Sequence, residues 1–188
     1  PDKPAPNRLT HAEWLGLIDD IRSLGCKALQ FIGGEPFLYG DTIFELAEHA
    51  KEVGISHQEI FSNFTLLTDE WADRMADLGI VAATSIYSKR PEVHDLITTV
   101  PGSFERTMRG FDMLKERGIR VRVACTIMKH NQDTIDETSE FFREIGAQRR
   151  RRFDMVRPSG RGNDEEIYPD KLSRRRAYRK TGNFKAIG

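Results

Sequence analysis

Through residues 10–158, stretches with helical apolar spacing alternate with short apolar runs, and this alternation admits few folds. Thr10, with Glu13 three residues on, has the form of a capping box. Trp14, Leu15, Leu17, Ile18, Ile21 and Leu24 follow at helical spacing, and Gly25 ends the run. Residues 28–32 form a short strand stopped by two glycines. The cycle then repeats: helix 41–53 and strand 59–62, helix 68–79 and strand 81–87, helix 104–117 and strand 121–128. Ser103 caps the helix that begins at Phe104, and glycines 54, 79 and 118 close these helices. A last helix runs from Asp133 or Thr134 to Gly146 and precedes strand 152–156. Parallel strands need a crossover, which a helix supplies, so the pattern predicts an α/β fold with a parallel sheet. Five strands joined by single helices, with one helix leading in, suit an open or partial barrel. A flat doubly wound sheet has the same one-dimensional signature.

The expected organisation is an extended lead-in over residues 1–9, a folded domain over 10–162, and a basic loop and tail over 163–188. Three prolines stiffen the lead-in. No apolar run approaches the roughly 18 residues that cross a bilayer, and no signal peptide opens the chain. The expectation is a cytoplasmic protein with no membrane partner. Net charge is zero overall, yet residues 149–188 carry 13 Lys or Arg against 5 Asp or Glu. A basic segment packing on an acidic body accounts for this, and no base-stacking aromatic pattern argues for nucleic acid. Cys26 and Cys125, the two cysteines, lie beside or within apolar stretches and read as buried free thiols. Their number and spacing make neither a disulfide framework nor a metal motif.

In parallel α/β folds the chemistry gathers at the carboxyl ends of strands. Gly33-Gly34-Glu35-Pro36 follows the first strand, Asn63 the second, and Ser85, Tyr87 and His94-Asp95 the third. Lys129, His130 and Asn131 follow the fourth, and residues 157–162, with Arg157 and Arg161, the fifth. Asp154 lies in the last strand. Two adjacent glycines let backbone groups approach a ligand closely. Glu35 adds a carboxylate suited to a ligand ammonium, and Pro36 stiffens the exit.

These stretches resemble the radical S-adenosylmethionine (SAM) superfamily, most closely its peptide-modifying SPASM/Twitch-type members. The likeness runs through LQFIGGEPFLY at 29–39, FSNFTLLTDEWADRM at 61–75 and SIYSKRPEVHDLITTVPGSFERT at 85–107. It continues through VACTIMKHN at 123–131 and FDMVRPSGRG at 153–162. The resemblance implies an α/β partial (β/α)6 barrel, incomplete at its N-terminal end. It also implies SAM and a [4Fe–4S] cluster as cofactors. Gly33, Gly34, Glu35 and Pro36 would take the methionine end of SAM. Asn63 and Ser85 would lie against the methionine or ribose part, Arg106 would pair with the carboxylate, and the backbone at Val156 and Arg157 would hold adenine. Other roles remain open: Asn63 as a cap of the following turn, Ser85 as a buried strand serine, Arg106 as a surface residue, and His94 as a pin of its own loop with Asp95. Tyr87, His94, Lys129, His130, Asp154 and Arg161 are candidate substrate positions.

The Cys-x3-Cys-x2-Cys loop that binds the cluster is absent from these 188 residues. By the resemblance its cysteines are expected upstream of Pro1, and a SPASM extension beyond Gly188. The activity implied is generation of a 5′-deoxyadenosyl radical for C–H abstraction in maturation of a ribosomally made peptide. A flavodoxin or ferredoxin would donate the electron. A cluster-free homologue that binds SAM or a peptide without catalysis is the alternative. A phosphate-site barrel using residues 158–162 is a third.

Overall fold

The computed structural model describes residues 9–147, 153–156, 167–170 and 173. Five strands follow one another in the sheet in sequence order, and each pairing described is parallel. Packing divides the chain into two compact units: Pro1–Thr84 with Thr107–Val121, and Ser85–Arg106 with Arg122–Gly188.

The first unit contains α1 (His11–Ser23), β1 (Ala28–Phe31), a 3-10 turn (Pro36–Tyr39) and α2 (Thr42–Glu52). It continues with β2 (His57–Phe61), α3 (Asp69–Leu78), most of β3 (Val81–Ser85) and the longer part of α5 (Ser103–Glu116). The Thr10–Glu13 capping box forms as the sequence predicts, and Thr68 accepts from the Trp71 amide to start α3. Gly79 ends α3 in the left-handed region, a conformation that favours glycine.

Strand register decides which residues are covered. Gln58 stands opposite Leu29, and Ile60 opposite Phe31 and Ala82. Side chains alternate along a strand, so these residues share one face. Leu29 and Phe31 pack on Ile18, Leu46, Ala50 and Ile55, and Gln58 donates to the Ala47 carbonyl beneath α2. Burying one such aliphatic or aromatic side chain contributes about 1.5–3 kcal/mol. The opposite face carries Gln30, whose amide donates to the Glu59 carboxylate across the strands. Phe37 stacks on both Phe44 and Trp71, which meet each other at a tilt, and the Arg74 guanidinium covers Phe44 at 4.5 Å while bonding Asp41 and Glu48.

The second unit contains α4 (Pro91–Thr98), α6 (Ile135–Glu144), β5 (Phe153–Met155) and β4 (Val121–Ile127) from Arg122 onward. Along β4, Val123, Cys125 and Ile127 are buried and the residues between them half-buried. Rings at His94, Phe104, Phe141, Phe142 and Phe153 contact one another in succession. The helix α4 is absent from the sequence reading, which treats residues 88–102 as connection. It is only eight residues long, and its apolar positions are too few to set a period. Pro91 at its first position is the start signal that was present. Cys125 is buried as expected, whereas Cys26 is only half-buried and its thiol donates to the Ala28 carbonyl.

Candidate functional site

In the first unit, β1 runs into Gly33 and Gly34, which take φ of 105° and 55°. Among the described residues, nothing stands within 4 Å of the point where a side chain would begin at either glycine. Among the described residues, no hydrogen bond within the chain reaches their exposed backbone groups. Two solvent-facing peptide units in this conformation can offer carbonyls to an ammonium group, which has three hydrogens to place.

Glu35 holds this turn. Its Oε1 accepts from the Ser62 hydroxyl at 2.6 Å and from the Phe37 amide at 3.2 Å, and its Oε2 accepts from the Asn63 amide at 2.9 Å. The carboxylate therefore caps the Pro36–Tyr39 turn and clasps the end of β2. Both of its oxygens are engaged by the chain, so its contribution toward a cation is its charge and the geometry it enforces. Asn63 uses its side-chain oxygen for the Thr65 amide and hydroxyl, which is the turn-capping role open to it in the sequence. Its backbone carbonyl accepts from Thr107 at 2.9 Å. Ser62 and Thr107, buried and absent from the sequence reading, complete this group. The Ser62 bond to Glu35 and the Thr107 bond to Asn63 span 27 and 44 residues, and no local pattern marks them.

The second unit gathers a different set. Burial is the chief cause that raises the Tyr87 phenol pKa, with the nearby Ser85 hydroxyl opposing, so the phenol stays protonated. His94 is buried, meets the Tyr87 ring at a tilt, and accepts from the Tyr87 amide at Nδ1 over 3.2 Å, which places its proton on Nε2. Burial lowers the His94 pKa, with Asp95 and Glu105 opposing. Asp95 caps α5 by accepting from the Gly102 and Phe104 amides and the Ser103 hydroxyl. Burial alone would raise the Asp95 pKa, but those hydrogen bonds and His94 bring it below the usual carboxylate value. The cap therefore comes from Asp95, with Ser103 already inside the helix.

Among the remaining candidates, Arg106 is half-exposed and donates to the Pro101 carbonyl. Lys129 and His130 are exposed, and the Lys129 amide donates to the Ile167 carbonyl. Asp154 is exposed and its side chain accepts from the Met155 amide. The Val156 amide donates to Ile127. Arg157 and Arg161 lie outside the described residues.

A depressed His94 pKa links folding to pH. The unfolded histidine protonates near its ordinary value of 6.5, while the folded one resists. The His94 contribution to stability is therefore level above about pH 6.5 and falls away as pH drops below it. Chemical denaturation followed across this range is expected to show that decline, and His94→Gln to flatten it. An unchanged slope in the variant would remove His94 as its source.

A parallel βα series with a clasped Gly-Gly-Glu-Pro turn after its first strand defines an α/β protein built to hold a small polar ligand. The description of the Radical SAM superfamily matches residues 1–145, and the chain belongs to that superfamily. An AdoMet-dependent heme synthase of Methanosarcina barkeri is 33% identical over 163 residues, covering 86% of this chain and 46% of that protein. A PqqA peptide cyclase of Ruegeria pomeroyi is 31% identical over 137 residues, 72% of this chain and 36% of that one. Streptococcus suis SuiB bound to precursor peptide SuiA gives a TM-score of 0.75 at 19% identity over 97% of this chain and 41% of that chain. This likeness shows the fold, the α/β partial barrel expected from sequence. The chain spans 40–46% of the length of the heme synthases it matches.

SAM and a [4Fe–4S] cluster are the cofactors of this superfamily. The Gly33–Gly34 turn fits the amino end of SAM, because its backbone groups are open and a carboxylate stands behind them. Cys26 and Cys125 do not fit the cluster, which takes three thiolates from one loop. Burial drives the Cys125 pKa upward and keeps its thiol protonated. Among the described residues, no group of three His, Cys, Asp or Glu side chains could hold a metal, and no helix is long and apolar enough to cross a membrane.

Proposed function

We propose that this chain holds the methionine end of SAM in a radical SAM enzyme of the cytoplasm, and that the enzyme matures a ribosomally made peptide. The open Gly33–Gly34 turn backed by the Glu35 clasp carries the proposal. SAM supplies, on one-electron reduction, the radical that takes hydrogen from a substrate C–H bond. The chain's part is to bind and orient it, with the glycine carbonyls toward the ammonium and Glu35 for compensating charge. An electron donor of the flavodoxin or ferredoxin kind belongs to the same proposal.

A peptide substrate is supported by the similarity to PqqA peptide cyclase and to a Bacillus subtilis sporulation killing factor maturation protein, 24% identical over 77% of this chain and 35% of that protein. A heme-type macrocycle is the second reading, favoured by the 33% identity to the Methanosarcina heme synthase. Titrating the labelled 188-residue chain with SAM is expected to shift the Gly33 and Gly34 amide resonances first, and an unmoved pair would sink the site. Reconstituted with iron and sulfide under reduction, the chain by itself is expected to show no iron–sulfur absorption and release no 5′-deoxyadenosine. Turnover would contradict the cysteine count.

A further inference from the structure

The turn after β2 is held in a conformation that a phenylalanine seldom adopts. Phe64 has φ of 61°, in the left-handed region, and its side chain is fully buried. Such a residue persists only where its surroundings determine it, and the surroundings here are specific. The Ser62 hydroxyl accepts from the Phe64 amide at 2.9 Å and donates to Glu35 Oε1 at 2.6 Å. The Thr107 hydroxyl bonds the Asn63 carbonyl, and the Asn63 amide donates to Glu35 Oε2. Among the described residues, Ser62, 2% exposed, is therefore the one side chain that bonds both the strained turn and the carboxylate behind the glycines.

We infer that Ser62 is a positioning residue for the amino end of SAM, acting through Glu35 to fix where the Gly33 and Gly34 carbonyls sit. The inference rests on the reading that this turn takes the methionine end. A hydroxyl donating to a carboxylate fixes one rotamer of Glu35, and the same hydroxyl accepting from Phe64 ties that rotamer to the backbone after β2. Without it, Oε1 keeps only the longer bond from Phe37, and the carboxylate can turn away from the glycine peptides. Ser62 itself touches no ligand in this account.

The test compares two ligands on the 188-residue chain by amide-resolved NMR titration. SAM carries the amino-acid end, and 5′-methylthioadenosine keeps the adenosine and sulfur without it. Ser62→Ala is expected to weaken SAM about tenfold, a loss typical of one charge-assisted hydrogen bond, and to leave 5′-methylthioadenosine within about twofold. In the free variant the Gly33 and Gly34 resonances move while Gly118 stays. Ser62→Cys, nearly the same size with a weaker donor, is expected to show the same order and guards against an alanine variant that does not fold. Equal loss for both ligands, or unmoved Gly33 and Gly34 resonances, would overturn the positioning role alone. Failure of the unsubstituted chain to bind SAM would overturn the site reading and this inference with it.

Discussion

Gly110→Ala is expected to cost about 3 kcal/mol of stability or more, although alanine is the better helix former. At an ordinary interior helical position the exchange would gain about 0.5–1 kcal/mol. Gly110 is not ordinary, because a Cβ there would lie 2.6 Å from Phe64 Cβ and 2.8 Å from the Phe64 carbonyl oxygen. Neither atom can yield cheaply. Phe64 is in the left-handed region, its amide is bonded by Ser62, and its ring is fully buried. Relief therefore requires α5 to withdraw from the β2 turn, which would break the Thr107 bond to Asn63 one helical turn earlier. For a chain of this size about 3 kcal/mol corresponds to a fall in Tm of roughly 6–12 °C. Calorimetry on Gly110→Ala measures it directly. A midpoint within about a degree of the unsubstituted chain would mean that the turn is soft, and the clasp built on it too.

That contact also shows where reading along the sequence stops. Local signals place most elements, since the Thr10–Glu13 box opens α1 and the glycines after α1, α2, α3, α5 and α6 all sit at positive φ. The same local logic picks out Gly33 and Gly34, whose positive φ is a property of their own backbone. It fails for Glu35, whose partners Ser62 and Asn63 lie 27 and 28 residues away. From sequence the carboxylate looks free to meet a ligand ammonium directly, whereas the fold engages both its oxygens with the chain. Thr107, 44 residues from Asn63, and Gly110 carry no pattern of their own, because a close helix-to-loop approach is a property of packing. Asn63 stands between these cases. Its side chain caps its own turn, which is local and legible, while its backbone amide and carbonyl serve distant partners.

Asn131→Ala is expected to be about as damaging in the second unit as Gly110→Ala in the first. Asn131 is fully buried, donates to the carbonyls of Tyr87 and Thr126 at 2.8 and 3.0 Å, and accepts from the Met128 amide at 2.7 Å. One side chain thus ties the segment after β3 to the end of β4 and to the residue that follows it. Alanine leaves an amide and two carbonyls without these partners, at about 1–3 kcal/mol for each group left unsatisfied. A total on the order of 4 kcal/mol follows once partial relaxation is allowed. Asn131→Asp separates hydrogen bonding from volume. The carboxylate still accepts from Met128, yet it turns negative oxygen toward two carbonyls and buries a charge, so its folded pKa rises above the unfolded value of about 3.9. A raised acid is favoured while protonated, so this variant should come nearest to the unsubstituted chain at low pH and lose ground as pH rises through about 4 and above. Urea unfolding at several pH values distinguishes the outcomes. Alanine and aspartate variants within about 1 kcal/mol of the unsubstituted chain at neutral pH would show that Asn131 does not hold these two segments together.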